Sequence, residues 1–439
     1  MGGPFSSAAP DHRSGGIVPL DPYLVSSSGV SARVAAGLRQ TFAALSSRNY
    51  RLWFVGQIVS LTGTWMQSTA QGYLVYELTR SPAYLGIVGF ANGLPSLLFM
   101  LYGGVVADRM QRRKLLVITQ SAMMALAFLL AGLVASGLVQ PWHIVAIAFG
   151  LGTAAAFDAP ARQSFVVDLV NRDDMTNAIA LNSPMFNAAV IVGPAVGAAV
   201  YAAFGPTWCF VLNGLSFLAV LTALLAMRLT KRGPRPPRDS AARQLREGLR
   251  YTLAHPTIRI LIANLGLVGL LGMSLLTLLP AWSVEVLGGD VRTNGLLLSA
   301  RGVGALGGAL MIASLGRRPV RGRLWAIGSA SMPLALLVFG LSRWLPLSLL
   351  AMVGVGWAFM SQANTSNSLV QTRVPDELRG RVMSIYTMIF FGAMPIGALL
   401  VGSLAARIGE PATVLWGTAM LAVLAGWIWL RLPRVRRLP

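Results

Sequence analysis

Long apolar runs separated by short polar loops make up most of the chain. Twelve windows of mostly apolar residues stand out, at 52–76, 83–106, 115–138, 142–166, 178–203, 207–228, 258–283, 293–315, 323–342, 346–369, 382–406 and 412–431. Each is bounded by charge, Pro or Gly, and each reaches the roughly 20 residues a helix needs to cross the hydrocarbon of a bilayer. The windows are too long for membrane strands and lack period-2 alternation. A helix satisfies its own backbone hydrogen bonds where no water is present. The pattern therefore predicts an all-α membrane protein with 12 transmembrane helices.

Composition narrows the class further. Hydrophobic residues make up 55% of the 439 and charged residues only 12%, about half the usual share in soluble domains. Mean hydropathy is +0.63. A soluble enzyme of this composition would leave far too much apolar surface in water. A single cysteine, Cys209, excludes a disulfide scaffold, and no cluster of Cys, His and carboxylates has metal-ligand spacing. No metal, catalytic residue or cofactor is expected.

The net charge of +21 would suit a nucleic-acid binder, but the positions of the charges argue otherwise. Of 36 Lys and Arg, 30 fall in the two tails and in alternate loops, those after spans 2, 4, 6, 8 and 10. The opposite loops hold only Arg80, Arg292, Arg343 and Arg407, and Arg259 and Arg301 lie within spans. This bias places both termini and the central loop in the cytoplasm, where basic residues face anionic lipid. The expected site is the inner (plasma) membrane, and the expected partners are the bilayer and a small-molecule substrate, with no nucleic acid.

The basic stretch after span 6 divides the spans six and six. The expected plan is a cytoplasmic tail at 1–48, a six-helix bundle at 49–228, a basic linker at 229–255, a second bundle at 256–431 and a tail at 432–439. The halves echo each other. Gly103 followed by Arg112-Arg113 matches Gly308 followed by Arg317-Arg318 at a spacing of 205. The stretch from Phe157 to Met175 has a counterpart from Gln362 to Leu378, each leading into a span with Gly and Pro. Two pseudo-symmetric halves with a substrate path between them is a transporter architecture.

The loop after span 2 reads Gly104-Val-Val-Ala-Asp108-Arg109-Met-Gln-Arg112-Arg113-Lys114. It resembles the signature loop of the major facilitator superfamily, with Gln111 where Gly is usual. The resemblance implies the major facilitator fold and a cytoplasmic gate formed by Gly104, Asp108, Arg109, Arg112 and Arg113. It implies that Asp108 meets the start of span 11, and that Asp168 partners Arg109 or Arg112. In span 5, Gly193-Pro194-Ala-Val-Gly197 is similar to the superfamily's antiporter motif. The blocks Ser47–Gln57, Gly63–Gln67, Leu78–Pro82 and Phe157–Gln163 look like the enterobactin-exporter and macrolide-efflux branch, the transmembrane secretion effectors. Membership implies a monomer that exports a bulky organic molecule, such as a drug or a siderophore, by alternating access in exchange for protons.

Polar groups within spans tend to face a cavity. Gln57, Ser60, Thr64, Gln67 and Gln71 share one face of span 1. Asn264 in span 7, Asn364 and Asn367 in span 10, and Tyr386 in span 11 extend the candidate path. Hydrogen bonding between packed helices explains the same pattern equally well. Asp158 and Arg162, one turn apart near the end of span 4, form a gate ion pair or supply a proton relay. Arg301 lies about eight residues into span 8, about 12 Å deep. At that depth it needs either a partner, with Glu77 and Glu285 as candidates, or a wet cavity and an anionic substrate group.

Two other functions fit the spans. An importer of a small metabolite shares the same architecture. A membrane-bound enzyme would want a catalytic His or paired carboxylates at the interface, yet the three histidines, His12, His143 and His255, have no suitable neighbours in sequence. A phosphate-binding loop for direct use of ATP is also missing from the sequence.

Overall fold

The computed structural model describes residues 43–228, 241–315 and 320–431, without the side chains of 100, 101, 108 and 241–244. Most of the tail at 1–48, much of the linker, Arg317, Arg318 and the tail at 432–439 lie outside the described residues.

Six long helices form the first half: α1 (Arg48–Thr79), α2 (Pro82–Arg109), α3 (Arg112–Ala135), α4 (Pro141–Phe165), α5 (Met175–Phe204) and α6 (Pro206–Ala226). The second half holds α7 (Pro256–Leu271), α8 (Val291–Leu315), α9 (Arg321–Leu341), α10 (Leu345–Arg373), α11 (Asp376–Ile408) and α12 (Glu410–Arg431). Prolines open α2, α4, α6 and α7, where a missing N–H costs nothing. Gly205 and Gly409, with φ of 85° and 81°, close α5 and α11 at corresponding places in the two halves.

Among the described residues, eleven helical segments are long and apolar enough to cross a membrane. The twelfth expected span, α1, is 32 residues long but falls short on apolarity. Its Gln, Ser and Thr residues explain the difference. Gln57, Ser60, Gln67, Thr69 and Gln71 are buried, because α1 packs between α5 and α6 instead of facing lipid on every side. The window at 258–283 also departs from an unbroken helix. After Gly272 the chain passes through a 3-10 turn, Met273–Leu278, and ends in a π-helical turn, Trp282–Val286. The linker contains a helix not foreseen from the pattern, Ala241–Ala254, docked on α11 by Gly248 and by an ion pair between Glu247 and Arg381.

Glycines set the helix spacing, and they do so in parallel in the two halves. A Cβ on Gly152 of α4 would lie 1.9 Å from the carbonyl oxygen of Asn92 in α2, and one on Gly356 of α10 would lie 1.9 Å from that of Arg301 in α8. The halves meet along two seams. In one, Gly86 and Gly93 of α2 pack against Ala398, Gly402 and Pro395 of α11. In the other, Gly295 and Gly302 of α8 pack against Pro194, Ala198 and Ile191 of α5. Close backbone contact at small residues gives helices cohesion where lipid offers no hydrophobic drive.

Candidate transport site and gate

A cavity of about 420 Å³ lies between the halves. Its lining comes from α1, α2, α3, α4 and α6 on one side and from α8, α11 and the irregular stretch after α7 on the other. Most of the wall is apolar, with Val75, Leu85, Val88, Met273 and Leu298 among its residues. Polar groups enter it at a few points, as in a site that orients a mostly apolar molecule.

The stripe on α1 reaches this wall in part. Thr64, Gln67 and Gln71 line the cavity. Gln67 accepts a hydrogen bond from Asn213 Nδ2 of α6 at 2.6 Å, and its own Nε2 is buried without a partner. Gln57 is buried away from the cavity against other helices, with Nε2 also unpartnered. Asn92, Asn213 and Asn294 line the wall as well and were not singled out from the sequence. All three are Asn residues inside apolar windows, a signal that the sequence carries for each of them.

Arg301 lines the cavity. Its Nε is buried without a hydrogen-bond partner, and among the described residues the guanidinium makes no ion pair. The two acids considered for it are engaged elsewhere. Glu77 accepts from the hydroxyl of Tyr201, and Glu285 accepts from that of Tyr76 at 2.8 Å and lies 3.9 Å from Arg80.

The remaining candidates for the path do not line this cavity. Asn264 donates to Gln362 Oε1 at 3.1 Å, while Gln362 also accepts from Ser329 and donates to the Gly328 carbonyl. That network holds α7, α9 and α10 together within one half. Tyr386 donates to the Ala363 carbonyl at 3.0 Å, Asn367 accepts from Gln371, and Asn364 is exposed outside the cavity. Hydrogen bonding between and along helices accounts for their positions. Asp158 is buried within the first half, where Oδ1 accepts from Thr119 Oγ1 and Gln120 Nε2, each at 2.9 Å. Arg162 Nε lies 3.7 Å from its other oxygen, so the expected one-turn pair is present.

At the Arg-rich end, the loop after α2 holds its own half together. Arg112 donates to Asp168 at 2.6 Å and to the Ser164 carbonyl at 3.0 Å, which selects it over the exposed Arg109 as the partner of Asp168. Arg113 donates to the Leu225 carbonyl at 2.9 Å and the Met227 carbonyl at 3.4 Å, placing a cation on the last carbonyls of α6. The Asp108 side chain, expected against the start of α11, lies outside the described ones. Close helix approach, expected at Gly104, occurs one residue earlier. A Cβ on Gly103 would lie 2.5 Å from the Ala156 carbonyl oxygen, whereas one on Gly104 would meet nothing within 4 Å.

The span-5 motif packs on both sides. Gly193 and Gly197 sit against Trp65 and Met66 of α1, and Pro194 presents its carbonyl to Gly295 of α8. At the Arg-poor end, the Tyr76 and Arg80 contacts to Glu285 bridge the two halves.

Two helix bundles meeting along two seams around one shared cavity define a transporter of the major facilitator fold. Comparison with known proteins agrees with that geometry. The profile of the family described as transmembrane secretion effector matches residues 39–438. The chain belongs to this family: it is a multi-pass membrane transporter of small molecules, and not an enzyme. It is 28% identical to the multidrug efflux pump Tap of Mycolicibacterium fortuitum, over 83% of this chain and 91% of that one. It is 26% identical to the staphyloferrin A transporter of Staphylococcus aureus, over 80% and 88%. It is also 26% identical to the enterobactin exporter EntS of Shigella boydii, over 89% and 94%. Among solved structures, the nucleoside transporter NupG has a TM-score of 0.69 at 14% identity, covering 87% of this chain and 98% of that one. A bacterial homologue of the lysosomal transporter Spinster, in an inward-facing and unoccupied conformation, has a TM-score of 0.67 at 15% identity, covering 89% and 97%. At that identity both comparisons speak to the fold alone.

Proposed function

We propose that this chain is a proton-coupled exporter, acting as a monomer in the inner membrane. It binds a bulky organic molecule in the central cavity and releases it outside by alternating access. The Arg-rich end is assigned to the cytoplasm by the distribution of basic residues. The observation that carries the reading is the cavity itself. Its volume of about 420 Å³ suits a drug-sized ligand, and both halves contribute to its wall. Tilting the halves about the seams then exposes one site to each side in turn. The named relatives, a multidrug pump and two siderophore transporters, support export of drug-like or siderophore-like molecules.

Glu285 joins the halves at the Arg-poor end, accepting from Tyr76 and lying 3.9 Å from Arg80, so this contact must part when the cavity opens on that side. Asp158, enclosed by Thr119, Gln120 and Arg162, holds α3 to α4 and acts at the gate.

A compound-sensitivity screen of a deletion strain identifies substrates. Energised everted vesicles carrying the chain then accumulate the hit, and a protonophore abolishes the accumulation. Uptake of the same compound into intact cells, rather than into everted vesicles, would reverse the direction and make the chain an importer.

A further inference from the structure

The charge balance of the cavity points to the class of substrate. Of the described residues that line it, Arg301 is the one cation, and none is a carboxylate. A guanidinium in a low-dielectric wall is stable only with a counter-charge or with water around it. Among the described residues, none supplies a counter-charge. Glu77 and Glu285 are bound to Tyr201 and Tyr76, and Asp158 is bound to Thr119 and Gln120 away from the cavity.

A second unfilled polar group lies on the same helix face. Asn294 precedes Arg301 by seven residues, about two turns or 10 Å along α8. It is fully buried, and neither its Oδ1 nor its Nδ2 has a hydrogen-bond partner. Backbone contacts on two sides hold this face of α8 in place. Gly356 of α10 abuts the Arg301 carbonyl, and Gly302 packs on Ile191 of α5. The site is thus a pre-set cation with a neighbouring amide, set among apolar residues.

We propose that the transported molecule is an organic anion, with its carboxylate, phenolate or similar oxyanion held by Arg301 and a neutral polar group hydrogen-bonded to Asn294. A bidentate oxyanion matches the planar fork of the guanidinium. A cationic substrate would meet unscreened repulsion in a cavity that offers it no acid. This assignment rests on the exporter reading above and adds the charge of the cargo.

Purified full-length protein in nanodiscs and in proteoliposomes tests it with two dyes of similar size, the anion carboxyfluorescein and the cation ethidium. Binding is read by fluorescence polarisation and flux by dye movement across the liposome wall. The wild type is expected to bind and move carboxyfluorescein at least tenfold better than ethidium. Arg301→Gln should lose at least tenfold in carboxyfluorescein affinity, and Arg301→Lys should retain most of it. Arg301→Glu should reverse the preference toward ethidium. A melting temperature of Arg301→Gln at or above that of the wild type shows that the loss is not unfolding. Preference for ethidium in the wild type, binding of neither dye, or carboxyfluorescein binding unchanged in Arg301→Gln would each overturn the proposal. Arg301-dependent binding without any flux would leave the anion site standing and overturn the exporter reading. Flux that is indifferent to Arg301 would do the reverse.

Discussion

Replacing Gly86 tests whether the halves separate at the outer seam. A Cβ there would lie 2.6 Å from the Ala398 carbonyl oxygen and 3.1 Å from the Gly402 Cα, both backbone atoms of α11. Ordinary contact begins at 3.4 Å, so α2 and α11 must part by about 0.8 Å to accept Gly86→Ala. Neither neighbour is a flexible side chain that could turn aside. Overpacking of this kind costs about 1–3 kcal/mol. The cost falls only on the state in which the seam is closed, so it shifts the two-state balance toward outward opening by about 5- to 150-fold. The assay is thiol labelling. Cys209 is the sole cysteine and is buried, so Cys209→Ala with Thr64→Cys places one thiol in the cavity wall. A membrane-impermeant maleimide applied to intact cells should react faster when Gly86→Ala is added, by at least fivefold. Unchanged labelling in a variant that folds and reaches the membrane would refute the reasoning.

The gate and the packing make further predictions. Gly103→Ala should lower thermal stability by about 1–3 kcal/mol, because its Cβ would meet the Ala156 carbonyl, whereas Gly104→Ala should leave the melting temperature unchanged. Asp168→Asn should cost about 1–3 kcal/mol, and adding Arg112→Gln to it should cost much less than Arg112→Gln does alone; a thermal double-mutant cycle measures the coupling. Glu285→Gln should remove the charge attraction to Arg80, loosen the contact between the halves at that end and raise labelling of the cavity thiol from outside. Asp158→Asn should weaken the fold yet leave export driven by the pH gradient, since the carboxylate lies off the cavity.

Much of this arrangement can be read from residue order, and the limits have physical causes. Hydropathy marks where the chain must be helical in lipid, so the long helices fall close to expectation. Charged pairs with little choice of partner were also accessible. Asp158 and Arg162 are one turn apart, and Asp168 finds Arg112 as one of two expected arginines. Periodicity tells which residues share a helix face but not what that face meets. Gln57 and Gln67 share the stripe on α1, yet only Gln67 reaches the cavity. Asn264 has the composition of a pathway residue and serves a network inside one half. Gly103 and Gly104 differ by about 100° around α2, and only the helix crossing decides which of them meets α4. The break after Gly272 lies inside an apolar run whose mean hydropathy hides the change of helix type. Asn294 and Arg301 acquire meaning together only when α8 is placed beside a cavity without acids.

The account depends on reciprocal motion of two ends around one site. Spin labels at Tyr84 and Ile408 report the outer ends of α2 and α11, and labels at Ile179 and Ser314 report the Arg-rich ends of α5 and α8. Pulsed electron–electron distances in each pair, taken with and without an imposed pH gradient, give the test. The account predicts that one distance lengthens as the other shortens. Both pairs lengthening together, or a shift in one with the other fixed, would contradict it.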